Sequence, residues 1–75
     1  MKACVTGATG FIGGNLVQAL LKKKYTVRAL VLPGDPKIQE LKKNKVEVVL
    51  GDIRDMESVK KAVKGCDVVF HCAAV

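Results

Sequence analysis

The chain has 75 residues, of which 49% are hydrophobic, so it can fold into one small domain at most and is not a disordered segment. It has no apolar run near the length of a membrane span, and its cysteines, Cys4, Cys66 and Cys72, match no metal-binding spacing, so we predict neither a membrane span nor a metal site. The net charge of +6 does not indicate a nucleic-acid partner, because nine of the thirteen basic residues fall at the C-termini of predicted helices, where they interact favourably with the helix dipole.

The first predicted elements are a strand over residues 2–6 and a helix over residues 11–23. The strand is short and apolar, and we therefore expect it to be buried. In the helix, apolar residues recur about every fourth position, which indicates the face turned towards the core. That face consists of Ile12, Leu16, Ala19 and Leu20.

A second strand is predicted over residues 26–32, where a nearly continuous apolar run is typical of a parallel sheet covered on both faces. The turn that follows leads into a short helix over residues 36–43. Asp35 is expected to cap that helix, with Pro36 at its first position, where a missing N–H group does no harm.

The same alternation continues to the end of the chain. A third strand over residues 46–50 precedes a helix over residues 56–64, which Asp55 caps and Gly65 ends, and a fourth strand spans residues 67–73. This order predicts an α/β fold with a doubly wound parallel sheet, helices on both faces and the strand order 3-2-1-4.

Three glycines, Gly7, Gly10 and Gly13, lie where the first strand passes into the first helix. A helix N-terminus presents unpaired N–H groups and a partial positive charge, and both suit a phosphate. Gly7 would make the turn, Gly10 would leave room for a pyrophosphate, and Gly13 would let the helix pack closely. The spacing G-x-x-G-x-x-G is one residue longer than the usual dinucleotide fingerprint, so an ordinary strand-to-helix turn is the alternative.

Three segments stand out in order: V-T-G-A-T-G-F-I-G at residues 5–13, G-D-I-R-D at residues 51–55 and C-D-V-V-F-H-C-A-A at residues 66–74. Together they resemble the extended short-chain dehydrogenase/reductase family, which includes sugar-nucleotide epimerases and dihydroflavonol-reductase-like enzymes. The resemblance implies that residues 1–75 are an incomplete Rossmann domain that binds NAD or NADP. It also implies an oxidoreductase or epimerase acting on a small molecule with a hydroxyl or ketone group.

The resemblance further implies which residues contact the dinucleotide. Asp52 would accept from the exocyclic amine of adenine; the alternative is a turn residue that holds its own backbone, which is common for an Asp after a strand. His71 is interpreted as a packed, hydrogen-bonded side chain rather than a catalytic one. The full set of expected cofactor-binding residues is Gly7, Thr9, Gly10, Phe11, Ile12, Gly13, Asp52, Ile53, Ala73 and Ala74.

One position departs from the family's pattern. The end of the second strand usually carries an acid for the ribose 2′-hydroxyl or an arginine for a 2′-phosphate, but here the residue is Leu32. Arg28 comes too early in the strand to replace it, and Asp35 is expected to serve as a helix cap. The sequence therefore leaves the choice between NAD and NADP open.

The family's catalytic Tyr-x-x-x-Lys pair is not found in this sequence, whose one tyrosine, Tyr25, is followed four residues later by Ala29. We therefore interpret the chain as the N-terminal part of a longer cytoplasmic enzyme, inactive by itself, whose substrate is bound by a C-terminal part and which could form a homodimer. A dinucleotide-binding redox regulator without turnover is the main alternative. A structural domain with a vestigial site is another.

Overall fold

The computed structural model describes residues 1–72, so the predicted contacts of Ala73 and Ala74 lie outside the described residues. Seven elements follow one another in the predicted order. They are β1 (Lys2–Thr6), α1 (Phe11–Lys22), β2 (Thr26–Val31), α2 (Ile38–Lys43), β3 (Glu47–Leu50), α3 (Met56–Val63) and β4 (Val68–His71).

The strands form one parallel sheet in the order β3-β2-β1-β4, which confirms the predicted topology. Alternate residues of β1 face opposite sides, as the two-residue period of a strand requires. Val5 packs in the larger apolar cluster with α1 and α2, whereas Cys4 packs with Ala62 of α3 on the other side. The sheet is therefore covered on both faces.

The buried stripe of α1 differs from the predicted one. The buried residues are Gly13, Val17 and Leu20, while Ile12 is 72% exposed and Ala19 is exposed. Gly13 lies directly against the backbone of the glycine turn, and this contact fixes the rotation of the helix about its axis. Ile12, about 100° further round, consequently faces away from the sheet.

Of the two predicted helix caps, Asp35 is wrong and Asp55 is confirmed. Asp35 does not cap α2, because its carboxylate and carbonyl oxygens accept from the N–H groups of Lys37 (2.9 Å) and Ile38 (3.2 Å), and so close a turn ahead of the helix. The helix therefore starts two residues later than predicted. Asp55 does cap α3, since its carboxylate accepts from the N–H of Glu57 at 3.3 Å.

Arg28 of β2 is buried beneath the C-terminus of α3. Its Nη1 donates to the carbonyl oxygens of Ala62 (2.9 Å) and Lys64 (2.6 Å). Its Nε lies 3.2 Å from a carboxylate oxygen of Glu47, an ion pair in which the N–H does not point along the line to the oxygen. The side chain thus satisfies orphan carbonyls at a negative helix end, where a cation is favoured.

Cys4, Cys66 and Cys72 are free thiols. Cys4 is buried, as predicted, and burial raises the pKa of its thiol to about 11. Cys66 and Cys72 are half-buried. Within residues 1–72, no helix is long and apolar enough to cross a membrane, and no cluster of His, Cys, Asp and Glu side chains could hold a metal ion.

Candidate functional site

The glycine turn joins β1 to α1 at the carboxyl edge of the sheet, beside the strand pair β1 and β4. Gly7 has φ of +72°, a left-handed conformation that side chains other than hydrogen disfavour. A Cβ at Gly13 would lie 1.9 Å from the carbonyl oxygen of Gly7. Gly7 therefore makes the turn and Gly13 allows the close packing, as the spacing predicts.

The start of α1 has no cap from a side chain. Gly10 is its N-cap residue, and the first turn contains no acidic residue. Among residues 1–72, no acceptor is hydrogen-bonded to the N–H groups of Phe11 and Ile12. These donors, together with the positive end of the helix dipole, provide a place for an anion.

Gly10 differs from Gly13 in what surrounds it. A Cβ at Gly10 would approach the carbonyl oxygen of Gly7 only to 3.4 Å, an ordinary contact, and φ of Gly10 is −81°. The protein itself would therefore tolerate a side chain there. Gly10 is exposed and lines the larger of the depressions beside the helix N-terminus.

Two depressions flank the turn and share Gly7 and Thr9. The first has a volume of about 210 Å³ and lies along the carboxyl ends of β2 and β3. Its lining residues include Leu32, Asp35, Asp52 and Ile53. The second has a volume of about 410 Å³, and its lining includes Phe11, Ile12 and Cys72. An elongated ligand could thus cross the turn from one depression to the other.

Asp52 begins the turn between β3 and α3. Its carboxylate accepts from the backbone N–H of Arg54 at 2.9 Å, the local turn that the sequence left as the alternative. The Arg54 guanidinium also donates to both carboxylate oxygens, with Nη2 to Oδ2 at 2.7 Å. These hydrogen bonds from Arg54 lower the pKa of Asp52 to about 2, so the carboxylate is ionised at neutral pH and remains an acceptor.

Ile53 follows Asp52 at the same edge. It is half-buried against the cluster of Cys4, Leu30 and Ala62, and it lines the smaller depression. The depression therefore combines an apolar wall with a carboxylate acceptor, which suits a base with an exocyclic amine. The contacts that the sequence assigned to Asp52 and Ile53 in adenine binding stay predictions.

Three side chains in or after β2 bear on the choice between a ribose 2′-hydroxyl and a 2′-phosphate. Leu32 is 56% exposed at the end of β2 and carries no charge. Arg28 is held under α3 and cannot reach the crevice, as its early position in the strand predicts. Asp35 lines the smaller depression.

Lys37 was overlooked in the sequence. Its ammonium group donates to the carbonyl oxygen of Thr9 at 3.2 Å, so it bridges the loop after β2 to the glycine turn. Its only sequence signal is its place just after the turn that follows the second strand. Ser58 was also overlooked, although it comes three residues after the cap Asp55.

His71 ends β4 at the edge of the sheet. Its Nδ1 is 2.8 Å from Oγ1 of Thr6, so the expectation of a hydrogen-bonded histidine is confirmed. The expectation that the His71 side chain is packed is wrong, because this side chain is exposed in the described part of the chain, residues 1–72. On its outer side, β4 has no neighbouring strand among the described residues.

Comparisons with known proteins agree on one kind of relative. Residues 1–74 match the NmrA-like family. Cinnamoyl-CoA reductase 1 from Petunia hybrida is 47% identical in an alignment of 77 positions, which covers 95% of this chain and 23% of the reductase.

Two solved structures share the fold. A short-chain dehydrogenase/reductase superfamily protein from Agrobacterium tumefaciens, with bound NAD, has a TM-score of 0.79 at 29% identity, covering 100% of this chain and 21% of that one. AtPrR2, in a structure with NADP+ and (+)pinoresinol, has a TM-score of 0.85 at 30% identity, covering 97% of this chain and 26% of that one. This chain spans about a quarter of the length of these relatives.

Proposed function

Because this chain belongs to the NmrA-like family, among the extended short-chain dehydrogenases/reductases, we propose that it is the dinucleotide-binding N-terminal portion of an NAD(P)-dependent oxidoreductase or epimerase. The substrate would be a small molecule with a hydroxyl or ketone group. The observation that carries the proposal is the uncapped N-terminus of α1, with an unobstructed Gly10, between two depressions.

The residues present fit a dinucleotide. The N–H groups of Phe11 and Ile12 would bind the pyrophosphate, and Gly10 would let it approach without a Cβ in the way. Adenosine would occupy the smaller depression, with Asp52 accepting from its amine and Ile53 against the ring. When bound, the nicotinamide ring of such a cofactor accepts or donates a hydride.

The acid and base of the reaction would come from outside residues 1–75. The one tyrosine of the chain, Tyr25, packs against the larger apolar cluster at the amino edge of the sheet, opposite the crevice. It has no lysine four residues on. The three free thiols are compatible with the reducing cytoplasm, which we propose as the compartment.

The test is a calorimetric titration of the full-length protein that contains this chain with NAD+, NADH, NADP+ and NADPH, followed by an assay for turnover of hydroxyl and ketone substrates. We expect one pair of dinucleotides to bind with micromolar or better affinity, which corresponds to about 8 kcal/mol or more. Binding without turnover on any hydroxyl or ketone substrate would favour the redox regulator. No binding of any of the four would refute the proposal.

A further inference from the structure

Ser58, in the first turn of α3, is the link between this helix and the turn that carries Asp52. Its hydroxyl oxygen accepts from the backbone N–H of Asp52 at 3.2 Å. The same hydroxyl donates to a carboxylate oxygen of Asp55, the helix cap, at 3.0 Å. One half-buried hydroxyl group therefore satisfies a turn donor and a cap acceptor at once.

Gly51 shows how closely Ser58 approaches the turn. A Cβ at Gly51 would lie 2.3 Å from Oγ and 2.6 Å from Cβ of Ser58, so the serine side chain occupies the space that a larger residue at position 51 would need. The N–H of Gly51 is bonded to the carbonyl oxygen of Val31 at 2.9 Å. Two successive peptide groups are thus held: the one between Leu50 and Gly51 by Val31 of β2, and the one between Gly51 and Asp52 by Ser58.

We propose that Ser58 is a positioning residue for adenine recognition, which acts by fixing the backbone of Asp52 so that the carboxylate faces the base. This inference rests on the proposed dinucleotide function. Arg54 occupies lone pairs of both carboxylate oxygens of Asp52, so few acceptor directions are left for an adenine amine. Small rotations of the Asp52 backbone would therefore turn the remaining acceptor directions of its carboxylate away from the adenine amine.

The test compares the preferred dinucleotide with its hypoxanthine analogue, in which a carbonyl oxygen replaces the exocyclic amine. The native protein should bind the adenine form about tenfold more tightly, because the analogue sets an oxygen against the Asp52 carboxylate. Ser58→Ala should weaken binding of the adenine form about fivefold or more and leave the analogue unchanged, so that the discrimination collapses.

Gly65→Ala is the matched control. Gly65 follows α3 with φ of +78°, so alanine there weakens the same helix from its far end without touching Ser58. Gly65→Ala should leave unchanged the ratio of the affinities for the adenine dinucleotide and its hypoxanthine analogue. In an Asp52→Ala background, Ser58→Ala should have no further effect on the ratio, since the two residues act through one contact.

Three results would overturn the inference: equal weakening of both dinucleotides by Ser58→Ala, no discrimination in the native protein, or an additive double variant. If the native protein binds neither dinucleotide, the proposed function fails instead. Should Ser58→Ala not fold, amide exchange of the native protein without cofactor decides. The Asp52 N–H should exchange slowly because it is bonded to Ser58, and fast exchange would contradict the role.

Discussion

At the scale of single residues, the three glycines of the turn differ in their backbone conformation and in the space around them. Gly7 has a left-handed backbone conformation. A side chain at Gly13 would collide with the carbonyl group of Gly7, whereas a Cβ at Gly10 would not. The sequence spacing predicts the roles of Gly7 and Gly13, because both follow from the position of the glycines between a strand and a helix. The role of Gly10 at a pyrophosphate stays a prediction. The pairing of Asp52 with Arg54 was not predictable, since it depends on how two exposed side chains are oriented.

Adjacent glycines in α1 should respond in opposite directions to alanine. Gly13→Ala places a Cβ 1.9 Å from the carbonyl oxygen of Gly7, and we expect it to cost about 3 kcal/mol or more of stability. Gly14→Ala places its Cβ at 3.4 Å from the nearest carbonyl and should stabilise the helix by about 0.5–1 kcal/mol. Denaturant unfolding measures both, and equal effects would contradict the packing described.

The buried thiol of Cys4 should make stability depend on alkaline pH. The folded chain keeps this proton up to a pKa of about 11, whereas the unfolded chain loses it near the ordinary value of 9.0. The folded state therefore binds more protons between these values, and stability falls as pH rises from 9 to about 11. Unfolding curves of Cys4→Ala should lack this part of the decline, and parallel pH profiles would show that the thiol is not responsible.

At the scale of elements, hydrophobic periodicity and cap residues predict the order of the seven elements, but some of their ends only approximately. The error at Ile12 arose because the contact of Gly13 with the turn, a tertiary feature, sets the rotation of α1. Asp35 fits a cap by type, yet its turn closes before the helix begins. Local patterns thus identify elements, whereas packing decides their faces and ends.

A lysine in a left-handed backbone conformation follows the end of each of the first two helices. Lys24 and Lys45, just after α1 and α2, have φ of 68° and 64°, whereas Gly65 occupies the equivalent place after α3. Lys24→Gly and Lys45→Gly should each stabilise the chain by about 1 kcal/mol, because glycine adopts this conformation without steric cost.

Lys22→Gly is the control for these variants, because Lys22 lies inside the last turn of α1. There glycine should destabilise by about 0.5–1 kcal/mol. Thermal or denaturant unfolding gives the comparison. A loss of stability for Lys24→Gly of the same size as for Lys22→Gly would contradict the strain argument.

At the scale of the whole molecule, the parallel sheet separates two edges with different chemistry. The carboxyl edge carries the glycine turn and the two depressions, while helix C-termini with their lysines lie at the opposite edge. Strand order 3-2-1-4 places the turn where the direction of winding reverses, the usual position of a ligand in such sheets. The sequence predicts this place, but with Leu32 at the end of β2 it does not predict which dinucleotide binds.

The measurement that tests the central claim most directly is calorimetric titration of Gly10→Val with the dinucleotide that the native protein prefers. Position 10 has an ordinary backbone conformation and a Cβ there meets nothing closer than 3.4 Å, so the variant should fold with a loss of about 1 kcal/mol from the replaced N-cap, as thermal unfolding would verify. Gly65→Ala, whose site is remote from the turn, serves as the control and should bind normally. We expect Gly10→Val to lose affinity at least a hundredfold, about 2.7 kcal/mol or more, because valine fills the space for the pyrophosphate. Native affinity in a folded Gly10→Val protein would contradict the assignment of the glycine turn as the phosphate site.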